Sequence, residues 1–105
     1  MSFSPRPHLL VRINGHPFRA LLDSGAEISF INTATATAAR DWGYPEDGEK
    51  GQVQLADGTY AEVPGSVNLP IEVGGCRYWH SFTIMPTLES DMLIGVDLWG
   101  RLGIA

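Results

Sequence analysis

The chain has 105 residues, a net charge of −5, 44% hydrophobic residues and 18% charged residues, a composition typical of one globular domain. It has no basic cluster and no apolar run long enough to span a bilayer, so we expect neither nucleic acid nor a membrane as a partner. The start, MSFSPRPH, has no signal-peptide core, and the single cysteine, Cys76, fits a reducing compartment, so we expect a cytoplasmic protein or a domain of a longer chain.

The first third of the chain predicts a hairpin, a polar turn, a short strand and a helix. Apolar residues alternate on both sides of Asn14-Gly15, and Asn-Gly between two such runs is the strongest short hairpin signal. After the sequence DSGA, residues 28–31 predict another short strand. Asn32 or Thr33 caps a helix that runs to about Trp42, although the alternating TATAT inside it is also compatible with an extended segment.

The middle of the chain predicts a loop followed by a second hairpin. Residues 45–51 (PEDGEKG) are typical of a solvated loop. Residues 53–63 (VQLADGTYAEV) predict a hairpin centred on Asp57-Gly58, in which Leu55 faces Tyr60. Few large apolar residues anchor its tip, so we expect the hairpin to project and to be mobile.

The last third predicts two strands, an apolar stretch and a short helix. Residues 67–73 form a strand that contains Pro70, and a proline favours an edge position in a sheet. Gly74-Gly75 then turns the chain into a strand over residues 78–85. After the sequence MLIGV, a short helix begins at its cap, Asp97.

One order of elements occurs twice along the chain. A strand, a glycine-containing turn, a second strand and an apolar pair precede DSG in the first half, and the same order precedes the sequence GVD in the second half. An all-β fold with an internal pseudo-twofold axis explains this repetition.

Asp23, Ser24 and Gly25 admit three interpretations. They form a good turn sequence. Ser24 as a nucleophile lacks the usual G-x-S-x-G setting. Asp23 as an acid catalyst needs a second carboxylate, because aspartic proteolysis uses two carboxyl groups about 3 Å apart that share one proton. The chain carries the motif once, so either the chemistry is absent or two chains each supply Asp23 across a twofold axis.

The sequence RPHLLVRINGHPFRALLDSGAEISFI resembles the amino-terminal half of the retropepsins, the homodimeric aspartic proteases of retroviruses and gypsy-type retrotransposons. DMLIGVDLW resembles the second signature of that family, and VQLADGTYAEVPG stands in the place of its flap. The resemblance covers roughly residues 6–103. It implies an all-β, retropepsin-like acid protease barrel with one short C-terminal helix, as a single domain over residues 1–105. It also implies a homodimer with flap hairpins at about residues 52–65.

The function that this resemblance implies is an aspartic endopeptidase without metal or organic cofactor. It would cleave extended polypeptide, namely its parent retroelement polyprotein, in the cytoplasm or within a virus-like particle. A non-catalytic binding or dimerisation module on the same fold is the alternative, and a ubiquitin-pathway retropepsin-like domain would differ in substrate rather than in chemistry. The three histidines show no metal-ligand spacing with one another or with Cys76.

The family's roles are carried over onto matching positions. Asp23 is similar to the catalytic aspartate, the Ser24 hydroxyl to the group that braces the pair across the dimer, and Gly25 to the glycine that permits close backbone approach. Glu27 matches an acid that binds peptide backbone, and Arg6 matches an arginine that pairs with this acid on the opposite subunit. The residues implied to bind substrate are Leu21, Ala26, Glu27, Leu55, Ala56, Asp57, Gly58, Thr59, Leu93 and Ile94. Leu21, Leu93 and Ile94 are candidates for pocket walls or for the nearby core, and core is the commoner fate for such residues.

Two positions depart from the retroviral pattern. Retroviral members have an arginine after the glycine of the second signature, where this chain has Val96, so other contacts must tie the helix to the active-site loop. Retroviral chains also continue into a final apolar strand that interleaves with the partner, whereas this sequence ends at 103–105. From this we expect a weak dimer, a different interface, or a dimer that needs residues beyond this sequence.

Overall fold

The computed structural model describes residues 7–47, 51–63 and 65–103, so Arg6 lies outside the described residues. Within these ranges the chain forms nine strands and two helices. Their bounds are β1 His8–Ile13, β2 His16–Leu22, β3 Phe30–Ile31, α1 Thr33–Asp41, β4 Glu46–Asp47, β5 Gly51–Gln54, β6 Tyr60–Val63, β7 Ser66–Val73, β8 Cys76–Ile84, β9 Met92–Ile94 and α2 Val96–Leu102.

Six of these strands close into a barrel in the order β1-β2-β9-β3-β8-β7. The ring closes where β7 pairs with β1, with Glu72 opposite Arg12. Strand β4 adds to the outside of β7, and β5 and β6 form a separate two-stranded hairpin. The predicted all-β class and the short C-terminal helix are therefore confirmed.

The first hairpin forms as its sequence predicts. Ile13 pairs with His16, so the loop consists of Asn14 and Gly15 alone. Both loop residues have positive φ, 53° and 79°, which is the backbone of the tight turn that matches strand twist. Along β1, Val11 and Ile13 are fully buried while Arg12 between them is exposed, so one face of the hairpin lines the core.

The pseudo-twofold relation is present and relates the same two hairpins that the sequence suggests, but it aligns the segments after the hairpins differently. The β1–β2 hairpin corresponds to the β7–β8 hairpin, because β2 runs parallel to β9 and β8 runs parallel to β3. Strands β3 and β9 meet antiparallel and each leads into a helix, capped by Asn32 and Gly95 respectively. The counterpart of Asp23 is therefore Met85, just after β8, and not a residue of the LIGV sequence.

Strand β7 is not an edge strand, so that prediction is wrong. It pairs with β8 along its whole length, and on its other side with β4 at residues 66–67 and with β1 at Glu72. Pro70 lies between these two short pairings, where a residue without an N–H group removes no bond from either. The pairing of β4 also corrects the loop predicted over residues 45–51, because Glu46 and Asp47 are in a strand.

The helix predicted after β3 is confirmed, and its cap is Asn32, whose side chain accepts a hydrogen bond from the Thr35 backbone at 2.8 Å. The helix after β9 begins at Val96 with Gly95 as its cap, so Asp97 is a residue of the first turn and not the predicted cap. The Asp97 side chain is instead directed at Ser29, just before β3, and at His80 of β8, as described below.

The core fills the barrel and fixes the strand ends that carry the site. Each fully buried aliphatic or aromatic side chain contributes about 1.5–3 kcal/mol relative to an exposed one. The core residues come from both hairpins, both central strands and both helices: Val11, Ile13, Ala20, Ile31, Ala36, Ala39, Val67, Leu69, Ile71, Phe82, Ile84, Met92, Ile94 and Leu98.

Candidate active site

Asp23 lies immediately beyond the end of two parallel strands. Strand β2 ends at Leu22, and the backbone N–H of Asp23 continues its pairing with β9 by donating to the Ile94 carbonyl at 3.1 Å. The chain then turns, because the Ala26 N–H donates to the Asp23 carbonyl at 3.2 Å. The barrel core therefore holds the backbone from which the Asp23 carboxyl group extends.

The DSG sequence forms a local turn around the Asp23 carboxyl group. The Gly25 backbone N–H donates to Asp23 Oδ1 at 2.9 Å. A Cβ atom on Gly25 would lie 3.2 Å from the same oxygen, so a larger residue would crowd the carboxylate. Ser24, between them, is exposed. The turn and the acid-catalyst interpretations are thus compatible, because the turn orients the carboxyl group.

The second signature packs directly against the loop formed by residues 23–29, which we call the aspartate loop. The Val96 N–H donates to the Ala26 carbonyl at 2.9 Å. A Cβ atom on Gly95 would stand 2.4 Å from the Ile28 carbonyl oxygen and 2.7 Å from that of Ala26. The φ of Gly95 is −88°, which any residue can adopt, so the glycine is required here by space and not by conformation.

Ser29 and Asp97 supply the contacts that tie α2 to the aspartate loop. Ser29 is fully buried, and its hydroxyl donates to Asp97 Oδ1 at 2.7 Å while it accepts from the Gly95 N–H at 3.0 Å. The Ser29 N–H lies 3.3 Å from Asp97 Oδ2, which also contacts His80 Nε2 at 2.8 Å. Val96 stands where retroviral members have an arginine, so we expect other contacts to tie α2 to the loop. The bonds of Ser29 and Asp97 are such contacts.

A cleft of about 550 Å³ separates the aspartate loop from the β5–β6 hairpin. It is open to solvent along one side and more apolar than polar in its lining. The residues that line it are Asp23, Gly25, Ala26, Glu27, Ile28, Phe30, Gln54, Leu55, Ala56, Gly58, Met85 and Leu93.

The structure brings most of the predicted site residues to this cleft. Those at the cleft are Asp23, Gly25, Ala26, Glu27, Leu55, Ala56, Gly58 and Leu93. Those away from it are Leu21, Ser24, Asp57, Thr59 and Ile94. Ile94 belongs to the core, where its exposure is 0%, and Asp57 and Thr59 bond to each other in the hairpin turn. The pairing of Glu27 with Arg6 involves a residue outside the described ranges and stays a prediction.

Four lining residues were not predicted from the sequence. Ile28 and Phe30 alternate in the short segment after Glu27, and this period of two signals a shared face. Met85 lies at the pseudo-symmetric counterpart of Asp23, so a correct alignment of the internal repeat would have found it. Gln54 has no comparable signal in the sequence.

The tip of the β5–β6 hairpin is a turn of five residues, 55–59, closed by a backbone hydrogen bond. The Leu55 N–H donates to the Thr59 carbonyl at 2.7 Å, and Gly58 has φ +89°. The register places Gln54 opposite Tyr60, so the predicted facing of Leu55 and Tyr60 is wrong by one residue. The five-residue tip over 55–59 causes this shift.

The hairpin turn lowers the pKa of Asp57. The Thr59 hydroxyl donates to Asp57 Oδ1 at 2.6 Å and the Thr59 N–H donates at 3.0 Å, and both bonds favour the charged carboxylate. Since the folded pKa lies below the unfolded value, these bonds support the turn above the ordinary pKa of aspartate. Their contribution is lost as the pH falls through the folded pKa.

Thr59→Val is expected to raise the pKa of Asp57 toward its ordinary value, because the largest cause of the shift is the hydroxyl bond. Carboxyl carbon chemical shifts followed by NMR across an acid titration give this pKa directly. Thr59→Ser, which keeps the hydroxyl, is the matched control and should leave the low pKa in place. An unchanged titration midpoint in the valine variant would show that the hydroxyl bond has no such effect.

Among residues 7–47, 51–63 and 65–103, the structure shows no group of three or more His, Cys, Asp or Glu side chains arranged to hold a metal ion. The two helices in those same ranges are too short to cross a membrane.

Comparison with known proteins agrees with the geometry of the loop and the barrel. The sequence model of the family described as aspartyl protease matches residues 9–98. The chain belongs to the aspartyl protease family. Its relatives within this family include Protein DDI1 homolog 1 of Bos taurus, 31% identical over 100 residues, and DNA damage-inducible protein 1 of Neurospora crassa, 33% identical over 95 residues. These alignments cover 86% and 90% of this chain, which spans only about a fifth of the relatives' length (22% and 21%).

A solved structure confirms the retropepsin-like fold of this chain. The retroviral protease-like domain of Ddi1 from Leishmania major superposes with a TM-score of 0.72 at 22% identity. The match covers 96% of this chain and 76% of that domain. The resemblance to the retropepsins that the DSGA and LIGV sequences indicate is therefore confirmed at the level of family and fold.

Proposed function

We propose that this chain is an aspartic endopeptidase that works as a homodimer and cleaves extended polypeptide. The observation that carries the proposal is the position of Asp23 on the wall of a 550 Å³ cleft, at the end of paired strands and opposite a hairpin. Because each chain carries the DSG motif once, a twofold axis through the cleft would supply the second carboxylate from the other copy of Asp23.

The proposed chemistry uses the two Asp23 carboxyl groups in different protonation states. The ionised one takes a proton from a water molecule, and the protonated one donates a hydrogen bond and then its proton to the oxygen of the scissile carbonyl. The water oxygen bonds to the carbonyl carbon and gives a tetrahedral diol. The diol collapses when the carboxyl group that took the water proton passes it to the leaving nitrogen, the other carboxylate takes a proton from a diol hydroxyl, and the C–N bond breaks. An acid and an amine are released, and the pair again holds one shared proton.

The cleft supports an extended substrate with apolar side chains. Its walls carry Ile28, Phe30, Leu55, Met85 and Leu93, which suit aliphatic or aromatic side chains. The β5–β6 hairpin is proposed to be a flap that closes over the peptide, excludes water and presents backbone donors. A peptide held between the flap and the aspartate loop would pair as an added strand.

The proposed dimer brings Ser24, Glu27 and Arg6 to the subunit interface. Ser24 is exposed directly beside Asp23, where its hydroxyl can brace the loop of the other subunit. Glu27, which is also exposed, would pair with Arg6 of the other subunit. If this pair stays exposed in the dimer, it contributes only about 0–1 kcal/mol. The natural substrate proposed on the retropepsin resemblance is the parent polyprotein of a retroelement.

A peptide mixture with and without an active-site-directed aspartic protease inhibitor tests the proposal. Mass spectrometry should show cleavage between apolar residues in unstructured peptides, and the inhibitor should stop it. Peptides that are bound but left intact at high protein concentration would favour the non-catalytic binding module instead.

A further inference from the structure

A chain of hydrogen bonds outside the cleft connects α2, β8 and the aspartate loop. Arg101 Nη1 lies 3.0 Å from His80 Nδ1, and His80 Nε2 lies 2.8 Å from Asp97 Oδ2. The other carboxylate oxygen of Asp97 accepts from the Ser29 hydroxyl at 2.7 Å, and that hydroxyl accepts from the Gly95 N–H at 3.0 Å. None of the side chains in this chain of bonds lines the cleft described above.

The chemistry of the two ends fixes the direction of every bond. A guanidinium group can only donate, so Nδ1 of His80 accepts from Arg101 and the ring nitrogen that donates is Nε2. Its proton is directed at Asp97. At the other end, the backbone N–H of Gly95 can only donate, so the Ser29 hydroxyl must direct its own proton to Asp97. The Asp97 carboxylate therefore accepts from β8 on one side and from the aspartate loop on the other.

These bonds hold the far end of the aspartate loop in a protected place. Ser29 has an exposure of 0%, and the His80 and Asp97 side chains have exposures of 13% and 28%. Hydrogen bonds to a charged acceptor are stronger than neutral ones, and partial burial strengthens them further. The near end of the loop is held separately, by the Asp23 N–H bond to Ile94.

We propose that Asp97, acting through Ser29, is a positioning residue for the aspartate loop and sets the direction of the Asp23 carboxyl group. His80 and Arg101 support this role, because Arg101 bonds to His80 and His80 bonds to Asp97, which keeps the Asp97 carboxylate turned toward Ser29. The structural part of this inference stands on the hydrogen bonds alone, and its catalytic part rests on the proposed endopeptidase function.

Amide hydrogen exchange tests the structural part without reference to activity. Ser29→Ala is compared with a control variant, Thr35→Val, which also removes one buried hydroxyl group. Thr35 is 2% exposed, and its Oγ1 donates to the Asp91 carbonyl at 3.0 Å. In Ser29→Ala the Asp23 and Ala26 amides should exchange about tenfold faster than in Thr35→Val, because the loop opens locally. Equal exchange at these two amides in both variants would overturn the proposal, since a general loss of stability then explains both.

Steady-state kinetics on the 105-residue chain test the catalytic part. Ser29→Ala and Asp97→Ala should each lower kcat by roughly 10- to 100-fold with little change in KM, because the carboxyl group is misplaced and substrate contacts remain. Asp97→Asn should recover part of the loss, since its amide oxygen can still accept from Ser29. A kcat equal to that of Thr35→Val in an active protein would overturn the catalytic part. A wild-type protein with no activity would instead reject the proposed function and leave the exchange result to decide the structural part.

Discussion

Asp23→Asn is expected to lower kcat/KM for peptide hydrolysis by at least about 10²–10⁴-fold, the usual contribution of a general acid–base group. An amide does not ionise, so it can neither take the proton of the water molecule nor share a proton with the second Asp23 of the proposed dimer. The substitution leaves the local turn intact, because the asparagine oxygen can still accept the bond that Gly25 donates to Oδ1. The loss should therefore appear without a loss of fold.

Cleavage of a fluorogenic peptide by equal amounts of folded protein measures this effect. Asp41→Asn, at the exposed end of α1, makes the same chemical change away from the cleft and should leave the rate unchanged. Circular dichroism and thermal melting of both variants confirm equal folding. Undiminished hydrolysis by Asp23→Asn would reject the mechanism, whatever the fold.

Gly95→Ala is expected to lower the free energy of unfolding by about 3 kcal/mol, near the upper end for an overpacked site. The added methyl group would stand 2.4 Å from the Ile28 carbonyl oxygen and 2.7 Å from that of Ala26. These are backbone atoms, so relief requires a shift of the aspartate loop or of α2. The same shift would displace Asp23, and activity should fall together with stability.

Gly100→Ala is the matched control for this substitution. Gly100 lies in the same helix, and a Cβ atom there would meet nothing within 4 Å. Because alanine is a better helix former than glycine, this variant should gain about 0.5–1 kcal/mol. Urea unfolding of the two variants gives both values, and two variants of equal stability would show that the aspartate loop yields to the methyl group without cost.

The parts of the fold that the sequence predicts correctly are those set by local chemistry. Asn14-Gly15 requires positive φ at two successive residues, and this requirement fixes the first hairpin and its register. The side chain of Asn32 satisfies a backbone donor at the start of α1, and so it marks that boundary. The DSGA sequence likewise marks the end of a strand, and the structure places Asp23 just after β2.

The parts that the sequence did not predict depend on contacts between distant segments. Asp97 was predicted to be a helix cap, but it bonds to Ser29, 68 residues earlier in the chain, and no local pattern signals that contact. Pro70 predicted an edge strand, because a proline cannot donate a ladder hydrogen bond. The local rule does not show that β4 and β1 pair with β7 on either side of Pro70. Met85 was missed because its relation to Asp23 follows from sheet pairing and not from residue similarity.

The central claim is that one Asp23 per chain becomes a working site only when two chains meet. Sedimentation velocity and peptide cleavage measured on the same samples, over a wide range of protein concentration, test this claim directly. A shared site predicts a cleavage rate per chain that follows the fraction of dimer and approaches zero as the protein becomes monomeric. A constant rate per chain in samples that sediment as monomers would contradict it.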